Sequence, residues 1–111
     1  SMITVDFDYK EGKIISFTMN GHANFAKHGS DLVCAGASAV AFGAVNSIYS
    51  LTDIKPDIDA GKEGGYLRCR IPESDSAESL DKVQLLLEAM RVSLQTIEQD
   101  YGKYIKINLN K

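Results

Sequence analysis

Residues 21–51 read GHANFAKHGSDLVCAGASAVAFGAVNSIYSL, and the change of character within them decides the fold. From Gly21 to Ser30 there is no period, but there are two glycines, Phe25 and both histidines of the chain, His22 and His28. That predicts a loop of about ten residues, longer than most connections and of the kind that carries function. Ser30 and Asp31 then supply a helix start, one of them as N-cap. The spacing predicts a helix from Leu32 to Leu51. Ala35, Gly36, Ala37, Ala39, Ala41, Gly43 and Ala44 leave it almost no polar face. A helix apolar all round is expected to be buried. Gly36 and Gly43 each sacrifice about 1 kcal/mol of helix propensity, so close packing against a sheet or a partner is expected there.

Outward from this helix the periods are simpler. Ile3, Val5, Phe7 and Tyr9 alternate with Thr4, Asp6 and Asp8, a half-buried strand. Glu11-Gly12 supplies a turn, and Ile15, Phe17 and Met19 repeat the alternation on a second strand, completing a hairpin. Beyond the helix, Thr52 to Pro56 reads as a loop. A second hairpin follows, Asp57 to Ala60 and Tyr66 to Ile71 around GKEGG, with Leu67, Cys69 and Ile71 on its inner face and Tyr66, Arg68 and Arg70 outside. A second helix begins near Asp75, with Glu78 three residues on as a variant capping box. Its apolar stripe is Leu80, Val83, Leu87, Met90, Leu94, Ile97 and Tyr101, and Gly102 ends it. Ile105, Ile107 and Leu109 form the last strand. The order ββαββαβ predicts an α+β domain over 2–111, a mainly antiparallel or mixed sheet with two helices, the first central and buried. Ser1 ahead of Met2 reads as a remnant of tag cleavage.

Composition narrows the function. The chain has 111 residues, 44% hydrophobic and 24% charged, so one modest core of ordinary composition is expected, without metal or disulfide support. Twelve Lys plus Arg against fifteen Asp plus Glu give a net charge of −3, which argues against nucleic-acid binding. The longest apolar segment, Leu32 to Val45, is interrupted by Ser38, and neither a membrane span nor a signal peptide is expected. Two cysteines 35 residues apart, without CxxC, fit a reducing cytoplasm, where a special cysteine is a working thiol. Asp57, Asp59 and Gly61 do not complete a calcium loop, because Arg68 stands where Glu is needed. Pro56 stands at the first-glycine position before Gly61-Lys62, so there is no phosphate loop, and no HExxH, GxSxG or GxGxxG occurs.

The chemistry left is concentrated in residues 21–38. In the predicted helix Cys34 falls in the first turn, where unpaired N–H groups and the positive dipole end favour a thiolate and can hold an oxyanion. His22, twelve positions earlier, can pair with the sulfur to make a nucleophile that works at neutral pH. Ser38, one turn on, presents a hydroxyl on the same face. Asp31 is read as a helix-start charge or as an orienter of His22; as a charge near Cys34 it opposes thiolate formation. A Cys in an Ala-rich helix is also read as a small buried hydrophobe. His22, His28, Asp31 and Cys34 match no common metal spacing, so no metal or other cofactor is expected. Cys69 reads as core, and Arg68 and Arg70 as solvated charges.

Gly21-His22-Ala23 followed by Gly29-Ser30-Asp31-Leu32-Val33-Cys34-Ala35-Gly36-Ala37-Ser38 resembles the ribosomal-processing cysteine protease Prp family, and the likeness extends through VSLQTIEQDY (Val92 to Tyr101) to the last strand. The resemblance implies a cysteine endopeptidase that removes the N-terminal extension of large ribosomal subunit protein twenty-seven during ribosome assembly, after a pair of aromatic residues. It implies Cys34 as nucleophile and His22 as general base and later acid, with Asp31 and Ser38 supporting. It also implies a loop, including Gly21, Phe25 and Gly29, that meets substrate, and a homodimer. Phe25, Tyr49 or Tyr66 are candidates to line an apolar groove for aromatic side chains. The competing readings are a binding module that docks a ribosomal protein without cleaving it, by strand addition, and a redox sensor using Cys34.

Overall fold

In a computed structural model the chain forms β1 (Ile3–Lys10), β2 (Lys13–Asn20), α1 (His28–Leu51), β3 (Asp57–Asp59), β4 (Tyr66–Arg70), α2 (Ala77–Tyr101) and β5 (Ile105–Asn110). The structure describes residues 2–21, 28–61 and 65–111, with 28–31 given as backbone. The five strands make one mixed sheet in the order β3-β4-β2-β1-β5. β1 pairs antiparallel with β2 and parallel with β5, and β4 pairs antiparallel with β2 and β3. The expected ββαββαβ order and α+β class therefore hold.

Alternation makes one sheet face apolar and the other polar. Val5, Met19, Leu67 and Ile107 share one row of the inner face, and Phe7, Phe17 and Cys69 the next. These side chains are buried together with Val83, Leu87, Met90 and Leu94 of α2 and Val33, Ala37, Ala41, Val45 and Ile48 of α1. The Phe7 and Phe17 rings pack 6.0 Å apart at the centre. On the outer face the pairs are polar: Asn108 and Asn110 donate to Asp6 and Asp8, each at 2.9 Å, and Ser16 donates to Asp8 at 3.0 Å.

Several boundaries differ from the sequence reading. Ile15 was expected inside with Phe17 and Met19, but the β1–β2 register shifts between Asp8 and Tyr9, opposing Asp8 to Ser16 and Tyr9 to Ile14. The extra residue forms a bulge: Ile14 is buried in place of Ile15, which is 41% exposed. Gln84 of α2 secures the bulge, accepting from the Ile14 N–H at 2.8 Å and donating to its carbonyl at 2.7 Å. α2 is capped by Ser76 rather than Asp75, its side chain accepting from the Ser79 N–H at 3.1 Å. Gly102 does end α2, but with right-handed backbone (φ −59°).

The largest correction concerns α1. It starts at His28 rather than near Leu32, so Ser30 and Asp31 lie within it and do not cap it. Its burial is one-sided: Val33, Ala37, Ala41, Val45 and Ile48 face the core, while Leu32, Phe42 and Tyr49 are 60%, 43% and 45% exposed. Gly36 packs close to α2, where an added Cβ would lie 3.7 Å from Ile97 Cδ1, whereas Gly43 faces open space. Leu32–Leu51 is also long and apolar enough to cross a membrane, contrary to expectation. Here its inner face is built into the core of a sheet-and-helix domain.

Candidate active site

Strand directions bring the chemistry to one end of the sheet. β2 ends at Asn20, opposite Thr4 of β1 and Tyr66 of β4. The chain carrying His22 leaves the sheet at this end, through Gly21. α1 then begins at His28 and passes Gly36 against Ile97, near the end of α2 that leads into β5. The beginning of α1, with Cys34, thus stands at the end of the sheet where Gly21 departs.

Cys34 is a free thiol, partly exposed and packed against the edge of the core. It is the seventh residue of α1 and not in its first turn. Only the first four N–H groups of a helix lack intrahelical partners, so the amide of Cys34 is engaged in the helix. The expected oxyanion site made from that amide, and the full force of the helix N-terminus on the thiolate, are therefore withdrawn. Ser38 is partly exposed one turn further on, and among the described residues its hydroxyl has no hydrogen-bond partner. Thr52 and Thr96, by contrast, bond back to the carbonyls of Ile48 and Val92.

Of the other expected site residues, His22 and Phe25 lie outside the described residues. Gly29 is the second residue of α1 and not part of a loop, and Asp31 stands within the helix one turn before Cys34. Tyr66 is partly buried at the start of β4, beside the departing chain. Tyr49 is not near Cys34. Fifteen residues of helix separate them, about 22 Å, and its hydroxyl donates to the Pro56 carbonyl at 2.7 Å.

Gly21 was expected only as part of the substrate loop, but the structure gives it a specific job. Its N–H donates to the Gly65 carbonyl at 2.9 Å, and its φ is +132°. A Cβ there would come within 2.7 Å of Met2 O and Ile3 Cα, both backbone atoms unable to swing aside. The Gly65 contact was missed because nothing in the spacing of residues 21 and 65 links them.

Cys69 has the opposite environment from Cys34. It is fully buried on β4, and burial, with Asp57 adding to it, pushes its thiol up to about 12, so it is inert near neutral pH. A cleft of about 500 Å³ opens at the far end of β2, lined by Lys10, Ile15, Arg68, Arg70, Pro72 and Leu80 among others. None of its lining residues belongs to the Cys34 region, so it is separate from the Cys34 site.

The family model for cysteine protease Prp matches residues 2–106. The ribosomal processing cysteine protease Prp of Bacillus subtilis is 53% identical over 97 residues, 87% of each chain. Its counterpart in Staphylococcus aureus is 46% identical over 108 residues, 96% of this chain and 98% of that one. The fold superposes with a TM-score of 0.85, at 44% identity, on the essential S. aureus ribosomal processing protease Prp, solved with a covalently linked product peptide and, separately, with a substrate peptide; the match covers 98% of this chain and 100% of that. A partly exposed thiol at the sheet end where the His-bearing chain departs, on this fold and with these relatives, has one reading: the chain belongs to the cysteine protease Prp family.

Proposed function

We propose that this protein removes the N-terminal extension of large ribosomal subunit protein twenty-seven in the cytoplasm during ribosome assembly, cutting after a pair of aromatic residues. The observation that carries the reading is Cys34, a partly exposed thiol on α1 at the end of the sheet where β2 runs out into Gly21, the residue before His22. The names of the B. subtilis and S. aureus relatives and the two S. aureus peptide complexes support it.

In the proposed mechanism His22 takes the proton from Cys34 Sγ, and the thiolate attacks the peptide carbonyl carbon. As the tetrahedral intermediate collapses, the C–N bond breaks and His22 returns the proton to the leaving amine. Water, deprotonated by His22, then hydrolyses the thioester and frees the thiol. Asp31 orients His22 from the preceding turn of α1. Ser38 offers its hydroxyl to the thiolate or to the oxygen that becomes negative, a role suited to a donor with no other described partner.

The working unit is a homodimer formed through the open side of α1. Leu32, Ala35, Ala39, Phe42, Asn46 and Tyr49 recur at three- and four-residue steps along that side, the spacing of a helix-packing seam.

The test is to mix the purified protein with the unprocessed ribosomal protein, with Cys34→Ala in parallel, and to read product masses. A single cut after the aromatic pair, absent in Cys34→Ala, with melting temperatures within a few degrees of each other, is expected. Tight binding with no cut in either sample would instead favour the docking module.

A further inference from the structure

The β2–β4 ladder ends in the register pair Asn20–Tyr66. One step further it gains an additional rung made by two glycines, the Gly21 N–H donating to the Gly65 carbonyl at 2.9 Å. Both have positive φ, +132° at Gly21 and +75° at Gly65, conformations that L side chains rarely adopt. Gly21 is also closed in from the other side by Met2 and Ile3, whose backbone leaves no room for a Cβ. Met2–Ile3 is itself anchored, since the Ile3 N–H donates to the Tyr104 carbonyl at 2.8 Å. Gly21, the residue before His22, is thus held between the start of β1 and Gly65, the residue before β4.

We infer that Gly65, through its carbonyl, is a positioning residue for the catalytic histidine: the β3–β4 turn braces Gly21 and so sets the direction in which the chain carrying His22 leaves the sheet. The inference rests on the reading of His22 as general base. Its action is indirect: the hydrogen bond orients the Asn20–Gly21 peptide plane, one residue ahead of His22. Catalysis is sensitive to this because a displacement of about 1 Å in a catalytic group can lower the rate by about a hundredfold.

The experiment compares Gly65→Val, Gly65→Asn and His22→Ala with the parent. Asn accepts the left-handed conformation that φ +75° demands, and a β-branched Val does not. Two readouts are taken on each variant. One is kcat and KM on a peptide spanning the aromatic-pair cut site. The other is the pH profile of Cys34 alkylation by iodoacetamide, which needs no substrate. Gly65→Val is expected to lower kcat by roughly tenfold or more with KM changed less than about threefold. Its alkylation profile should move toward that of His22→Ala, while Gly65→Asn keeps both close to the parent. If Gly65→Val does not fold, Gly65→Ala, a milder strain, is read in its place. A lowered melting temperature with kcat and alkylation profile intact would make Gly65 merely structural and overturn the inference. His22→Ala indistinguishable from the parent in both readouts would show instead that the base assignment itself had failed.

Discussion

The two cysteines differ in position, and position decides their chemistry. Cys34 is partly exposed at the edge of the core; Cys69 is sealed between Phe17 and Ile58 in the sheet register, with its ionisation pushed up to about 12. Iodoacetamide near pH 6 is therefore expected to label Cys34 well before Cys69, read by peptide mass mapping; equal slow labelling would speak against an activated thiolate. The resemblance picked out Cys34 and His22 from their neighbours in the chain. What it could not supply was the depth of Cys34 in its helix. Six residues of helix, from His28 on, precede the thiol, which removes the amide of Cys34 as an oxyanion donor.

Among the elements, β2 shows how a single residue alters a strand. The pattern Ile15, Phe17, Met19 is a clean alternation, yet the buried set is Ile14, Phe17 and Met19. The hydrophobic pattern permits either choice, because Ile14 and Ile15 are identical; Gln84 and the bulge, both tertiary features, select Ile14. The expected consequence is asymmetric. Ile14→Ala should destabilise by about 3 kcal/mol, the value for a buried aliphatic truncation. Ile15→Ala should change stability by less than about 1 kcal/mol. Urea unfolding of the two variants measures the contrast, and similar values would mean that the bulge is misplaced.

At the scale of the whole molecule, the sheet has one covered face and one polar face, while α1 keeps an apolar side open. If that side is the homodimer seam, Phe42→Glu, at a position 43% exposed in the single chain, should convert dimer to monomer in sedimentation equilibrium. A parent that sediments as a monomer would remove the seam. Global stability should also report Cys69. Its pKa is raised on folding from an ordinary 9.0 to about 12, so the neutral thiol is the form that the fold favours. The stability this contributes is fully present below pH 9 and is lost as the pH rises toward 12, at up to about 1.4 kcal/mol per pH unit. Cys69→Ala should therefore flatten alkaline unfolding between pH 9 and 12 relative to its own stability at pH 7, measured by urea titration; an unchanged slope would place the titration elsewhere.

Alternation, turn residues and helical stripes are local signals, and they suffice for the order ββαββαβ, the inner rows of the sheet and the family motif around Cys34. They are blind to anything that depends on which distant segments meet. The parallel pairing of β1 with β5, the choice of Ile14 over Ile15 and the one-sided burial of α1 all follow from packing between residues far apart in the chain. The same holds for Gly21 and Gly65, forty-four positions apart: each alone is an ordinary turn glycine. Only when β2 and β4 lie side by side does the carbonyl of one reach the N–H of the other.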